Sequence, residues 1–337
     1  MNGRTEEFGR TAEGETVLRI PIEGGGLTAS IMNWGAAIQD LRLEGHDAPL
    51  VLGFESFDPY PDHSPYFGAT AGRYANRIRG GKFVIDGQRF EADLNFLGKH
   101  TLHGGARGLG KRVWQAADAG GDFVRLTILD EAGQPGFPGN LDISCTYRVK
   151  AGGVLAVEFE ARTDAPTLCN LAHHSYFNLD DGGWSDILGH RLMLPAAAYL
   201  PVDEELIPTG VVQPVDGTEF DFRLAREIRS QGEQIPYDHN YCLTASRGEL
   251  RLAGWVQGRS GVEMEVWSTE PGIQFYAGHK VARDVPGLGG RRYGAYAGFA
   301  LEPQVWPDSP NRPYFPQAIL RPGEIYRQIT EYRFRNG

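Results

Sequence analysis

The chain has 337 residues, 23% of them charged, with 33 Lys and Arg against 43 Asp and Glu for a formal net charge of −10. Its basic residues form no stripe, only pairs such as Lys111-Arg112 and Arg291-Arg292, which excludes nucleic acid as a partner. No apolar run is long enough to span a bilayer, which removes the membrane as well, and a neutral or cationic small molecule fits the charge balance better than a polyanion.

Met1 to Glu7 lacks the apolar core of a signal peptide. The cysteines, Cys145, Cys169 and Cys242, are odd in number and far apart, and match neither a CxxC nor a zinc spacing. They are expected to be reduced, which points to the cytoplasm. Glycine, 45 of 337 residues, runs at roughly twice its average usage and implies many tight turns.

In chain order, the first polar cluster is Gly72-Arg73-Tyr74-Ala75-Asn76-Arg77-Ile78. Asn76 and Arg77 offer donors to a polyol hydroxyl, with a solvated surface loop as the alternative. Thr101-Leu102-His103-Gly104-Gly105 sets a histidine before two glycines, which would let a ligand approach closely; the alternative is a turn-capping histidine. Gly105 to Lys111 imitates the glycines and lysine of a P-loop. Arg112 stands where the magnesium-binding Ser or Thr belongs, and no helix is expected to follow, so nucleotide binding is refused.

Val154 to Ala161 alternates, with Leu155, Val157, Phe159 and Ala161 on one face. In Asn170-Leu171-Ala172-His173-His174-Ser175-Tyr176-Phe177-Asn178, an extended chain sends neighbours to opposite faces. His174, Tyr176 and Asn178 then share one face, while His173 joins Ser175 and Phe177. The pair is therefore no two-histidine metal site; a single imidazole acting as a general acid fits better. Leu224 to Gln231 is the one short helix expected. In Tyr237-Asp238-His239-Asn240, Asp238 and Asn240 share a face suited to sugar hydroxyls, with an Asx turn as the alternative.

Val262, Met264 and Val266 form another apolar face, and Gln274 follows as a polar contact or an exposed strand residue. Gly298-Phe299-Ala300-Leu301-Glu302-Pro303-Gln304 sets a carboxylate among apolar neighbours. Burial there would disfavour its charge and make Glu302 a usable base near neutral pH. Tyr326, Tyr332 and Phe334 line one side of the last segment. Asp86-Gly87, Asp216-Gly217, Pro271-Gly272 and Pro322-Gly323 punctuate the strands. Together these predict an all-β chain, a large antiparallel β-sandwich of two facing sheets forming one domain over residues 1–337.

Seven stretches resemble, in order, the aldose 1-epimerase (galactose mutarotase) family: Gly72 to Ile78, Leu102 to Gly105, Pro138 to Leu141, His174 to Leu179, Asp238 to Asn240, Pro271 to Tyr276, and Glu302 through Asn311. The resemblance spans about Gly35 to Phe334. It implies the galactose mutarotase-like supersandwich and a reaction that interconverts the α and β anomers of a free aldose such as galactose or glucose, without a cofactor or a metal. By resemblance Glu302 is the base at the C1 hydroxyl and His174 the acid at the ring oxygen. His103 assists, and Arg77, Asn76, Asp238, Gln274 and Tyr176 bind the sugar. The resemblance also implies a monomer or homodimer whose partner is a monosaccharide.

Two positions depart from the family pattern. His173 replaces a more usual Asn, and Pro303 replaces Thr or Ser and removes a backbone N–H; a pentose-preferring member is one way to read them. Rival readings are a hexose-6-phosphate epimerase using Arg73, Arg77 and Arg79, a non-catalytic sugar-binding module, and a glycosidase built on Glu302 and Asp238.

Overall fold

Strands that alternate apolar and polar residues are stable only when their edges are paired and one face meets a core. The computed structural model, which describes residues 5–230 and 234–337, meets both needs with a nine-stranded antiparallel sheet. Phe123–Asp130, Leu141–Lys150, Val154–Thr163, Tyr326–Arg335 and Glu263–Ser268 lie side by side at its centre. Tyr326–Arg335 sits between two strands that are remote from it in sequence. Leu155, Val157, Phe159 and Ala161 are buried as the alternation predicts, and so are Val262, Met264, Val266, Tyr326, Tyr332 and Phe334.

A five-stranded sheet faces it, in the order Gln213–Pro214, Ala198–Tyr199, Asp238–Cys242, Gly272–Tyr276, Ala300–Gln304. Its inner residues Ile273, Phe275 and Leu301 share one core with Val256, Met264 and Tyr332 of the larger sheet. The Tyr332 hydroxyl donates to the Leu301 carbonyl at 3.4 Å. This is the two-sheet sandwich expected. A four-stranded meander over Glu6–Arg10, Thr16–Gly24, Leu27–Met32 and Ala37–Leu43 packs Ile20, Ile22, Leu27 and Ile31 into the same core.

Two short pairings carry the polar motifs. Ala69–Ala71 pairs with Ala172–His174, and Arg77–Ile78 pairs with Thr101–Leu102. Asp86 and Gly87, at φ of 51° and 82°, join Lys82–Ile85 to Gln88–Glu91 in the doubly left-handed turn that a tight hairpin demands.

The helix expected over Leu224 to Gln231 is absent from the described part of that segment, and Gln231 lies outside it. Arg226–Glu227 forms an edge strand against Arg191–Met193 instead. The Arg226 guanidinium bonds the Glu219 carbonyl and lies 3.7 Å over the Phe222 ring. These contacts hold the chain extended and outweigh a weak helical preference. The only α-turn among the described residues is Tyr60–His63. No helix among them is long and apolar enough to cross a membrane. The segment Met1 to Glu7 falls partly outside the described residues. Cys145, Cys169 and Cys242 are free thiols.

Leu301 lies wholly within the core behind the sheet face that carries Glu302. Leu301→Ala should therefore cost about 2–5 kcal/mol, read from urea unfolding; a loss below about 1 kcal/mol would mean the two sheets do not depend on this contact.

Candidate active site

The register of the five-stranded sheet sets the floor of the site. Asn240, Gln274 and Glu302 oppose one another across three strands, and Asp238, Tyr276 and Ala300 form the next row. The odd-numbered residues His239, Ile273, Phe275 and Leu301 face the other way, and His239 packs on Tyr199 and Phe220. Alternation within each strand thus gathers Asp238, Asn240, Gln274 and Glu302 on one side.

The strand Ala300–Gln304 is at the sheet edge, but it is covered. Phe177 and Phe299 exchange backbone hydrogen bonds at 2.7 and 3.0 Å. This brings His174 over Glu302, Nε2 to Oε2 at 3.5 Å, with Glu302 only 2% exposed. His103 comes in from the Thr101–Leu102 strand, its ring centroid 5.2 Å from that of His174. Tyr66 covers both rings at centroid distances of 4.6 and 5.9 Å.

His103 is held by backbone. Its N–H donates to the Asn76 carbonyl at 3.0 Å, and the Asn76 N–H donates to His103 Nδ1 at 3.2 Å. Both residues adopt left-handed backbone, φ 50° and 64°. An Nδ1 that accepts leaves the neutral ring with its proton on Nε2, so His103 presents a donor. Ligand atoms of His103, His174 and Glu302 lie within 4.8 Å of one another, a donor set that zinc uses. The Nε2–H of His103 offers a metal no lone pair without losing the Asn76 bond, so the arrangement suits hydrogen bonding to a ligand rather than a metal.

Gly104 and Gly105 do not serve close approach by a ligand, as the sequence suggested. Gly104 has φ +83°, and a Cβ there would lie 2.0 Å from the Gly72 carbonyl oxygen. The close neighbour is the chain's own backbone.

Across the pocket, Arg77 reaches Asp238 at 3.3 Å and stacks 4.7 Å over Phe96. Gln274 Nε2 donates to the other Asp238 oxygen at 2.6 Å. The pocket volume is about 200 Å³, below drug-sized cavities and in keeping with one small polar molecule. A larger hollow of about 780 Å³ lies over Gly217, Asp221, Arg223 and Arg226. It gathers no acid–base pair, and its Arg223 is tied to Asp216 and Asp221.

Seven of the eight residues expected from the sequence line the small pocket: Asn76, Arg77, His103, His174, Tyr176, Asp238 and Glu302. Gln274 is buried between Asn240 and Glu302 on the same sheet face, and its amide holds Asp238. Asn178 is a correction. The strand ends at His174, and the Asn178 amide turns to the Ser185 and Ala297 carbonyls. His173 faces away as expected, bonded to Ser175 Oγ at 2.7 Å and the Tyr147 hydroxyl at 3.2 Å. Sequence reasoning missed Tyr66, Phe96, Leu206, His279 and Lys280 on the pocket walls. Tyr66 and Leu206 have left-handed backbone, and none of the five shows a motif.

Burial dominates the electrostatics. It pushes Glu302 well above the ordinary carboxyl range, and the Asp238 charge adds to this while Arg77 opposes it. Burial lowers His174 to about 4, against a raising influence from Asp238. His103 is held well below its usual value by burial, then by His174, Arg77 and Lys111. The protonated His174 beside ionised Glu302 that the acid and base roles require is thus disfavoured at rest. Burial favours one proton held between two neutral groups.

Gly104→Ala should displace His103 and cost more than about 2 kcal/mol, seen as a lower melting temperature with lost turnover. An unchanged melting temperature would contradict the close backbone packing.

Residues 19–333 match the family described as aldose 1-epimerase. A galactose mutarotase of Rattus norvegicus is 40% identical over 329 residues, covering 95% of each chain. An aldose 1-epimerase of Escherichia coli (strain K12) is 36% identical over 322 residues, covering 92% of each. Among solved structures, an aldose epimerase homologue from C. elegans superposes with a TM-score of 0.87 at 30% identity, covering 94% of this chain and 98% of that one. A galactose 1-epimerase from Lactobacillus acidophilus gives 0.85 at 26% identity, covering 99% and 98%. Fold, pocket and likeness agree, and the chain belongs to the aldose 1-epimerase family and is a mutarotase.

Proposed function

We propose that mutarotation is carried by His174 and Glu302 acting on a free aldose, with galactose or glucose as the substrate. The observation that carries this is their 3.5 Å approach within a buried pocket of monosaccharide size. Glu302 takes the proton of the C1 hydroxyl while His174 gives one to the ring oxygen, and the C1–O5 bond breaks. Rotation about C1–C2 presents the other face of the aldehyde. The protons then return, from the C5 hydroxyl to His174 and from Glu302 to the carbonyl oxygen, and the ring closes.

The pair carries one proton in both halves of this cycle. With the sugar ring closed and ready to react, the proton is on His174; with the chain open, it is on Glu302. Burial favours the second arrangement, and so favours ring opening. Sugar hydroxyls entering the pocket restore part of the lost solvation and so draw the proton towards His174, leaving Glu302 as the carboxylate. General acid–base transfer of this kind is worth roughly 10²–10⁴-fold per proton. His103 Nε2–H supports the ring oxygen, and Arg77, Asn76, Asp238 and Tyr176 orient hydroxyls, with Gln274 steadying Asp238.

The rival readings find less support. Arg73 is buried, bonded to Asp130 and to the Pro138 and Gly139 carbonyls, and Arg79 is engaged by Asp203. Neither is free for a phosphate. A glycosidase pair of Glu302 and Asp238 would leave two buried histidines without a task. We also propose a cytoplasmic enzyme, monomeric or homodimeric, forming one domain and needing no cofactor.

Glu302→Gln and His174→Asn should each lower kcat by at least about 10², with sugar binding retained by calorimetry, whereas His173→Asn should cost little. Near-normal turnover in Glu302→Gln would remove it from the mechanism. The one-proton pair also sets the pH profile of kcat/KM. Its acid limb should fall near the His174 value of about 4, and its alkaline limb well above the ordinary glutamate range. An acid limb near about 6.5, the ordinary histidine value, would contradict burial as the controlling force.

A further inference from the structure

Beside the His174–Glu302 pair, the polar sheet face continues as a row of amides to which the mechanism gives no task. Asn240 lies opposite Gln274, which lies opposite Glu302. Gln304 stands two residues beyond Glu302 on the same face, opposite Gly272. Asn240 is 2% exposed and Gln304 is fully buried. Yet, among the described residues, none of their four side-chain amide atoms has a hydrogen-bond partner. Gln274 Oε1 is unpartnered as well, and so is Glu302 Oε2 apart from its approach to His174. Gly272 lets the Asn240 amide and the Trp306 ring close over its backbone. A Cβ there would lie 2.7 Å from Asn240 Oδ1 and 2.7 Å from Trp306 Cδ1.

Buried amides are costly unless they are hydrogen-bonded. Gln274 starts about 5 Å from Asn240 on one side and from Glu302 on the other, while Asn240 and the Glu302 strand are two strands apart, about 10 Å at the backbone, a gap that amide side chains narrow. Groups at such spacings that do not touch are well placed to share a bridging water, which needs two to four polar partners. We propose that Asn240 and Gln304 are positioning residues for Glu302, acting through ordered water held between their amides and the carboxyl, with Gln274 Oε1 as a further partner. Their N–H groups, relayed by that water, stabilise the Glu302 carboxylate and tip the shared proton towards His174. This inference rests on Glu302 exchanging a proton with the sugar.

The titratable and charged groups around Glu302 are His174 and Tyr176 on the segment beside it, Tyr276 on the adjacent strand, Tyr66, His103, Arg77, Asp238, His279 and Lys280 around the pocket, and Tyr332 from the larger sheet. All of them stay in place in Gln304→Met and Asn240→Leu, which keep side-chain bulk and remove the amide dipoles. The test measures kcat, KM and the pH profile of both single variants and the double variant in the full-length enzyme. The double variant should lose about tenfold in kcat with KM changed by less than about twofold. Its alkaline limb should move up by about half a pH unit or more, because the carboxylate has lost stabilising donors.

A normal kcat, or a lower kcat with the limb unmoved, would overturn the proposal and leave the two amides a structural role. If Asn240→Leu fails to fold, Gln304→Met alone must show the same shift of the limb. Glu302→Gln separates the two levels. If it is inactive while the amide variants are normal, only this inference fails; if it is active, the proton-exchange reading fails first.

Discussion

Everything at this site depends on taking one carboxyl out of water beside one imidazole. Glu302 and His174 are both buried, and burial acts on them in opposite directions, raising the carboxyl and lowering the imidazole. The ordinary order, in which the imidazole holds its proton more tightly than the carboxyl, is thereby reversed, and a single proton serves both. Ring opening of a sugar needs one proton added and one removed, with no redox change. A pair holding one mobile proton supplies that chemistry and returns to its starting state when the ring recloses.

The fold supplies the burial. Glu302 is on a strand that would be an exposed edge, but the segment through Phe177 closes over it with backbone hydrogen bonds. Behind it, Leu301 locks the five-stranded sheet to the nine-stranded one. The opposite wall is fixed by backbone rather than by side-chain packing. Asn76 and His103 exchange hydrogen bonds in left-handed conformations, and Gly104 allows the turn to rest on the Gly72 carbonyl. That contact sets the tautomer of His103, so a residue without a charge becomes a directed donor.

Much of this was legible in the sequence because it rests on periodicity. Alternation along Val154 to Ala161 and Val262 to Trp267 gave the sheet faces, and the same rule separated His174 from His173 and Asp238 from His239. The apolar setting of Glu302 announced its burial. What was hidden depends on contacts distant in sequence or on backbone geometry. Tyr66, Leu206 and His279 reach the pocket from loops with no repeating pattern. Asn178 turned away because its strand stops at His174, an end that no residue signals. Gln274 proved to hold Asp238, a role visible only once the strands are in register. The segment from Leu224 lost its helix to contacts made by Arg226.

The central claim is that the buried pair holds one proton and that, in the free enzyme, it resides on Glu302. Infrared difference spectroscopy of the wild type against Glu302→Gln at about pH 6, where an ordinary glutamate is ionised, tests this directly. The account predicts the carbonyl stretch of a protonated carboxyl in the wild type, absent from the variant and lost only on the alkaline side. A carboxylate signal for Glu302 at that pH, with no protonated carboxyl, would contradict it.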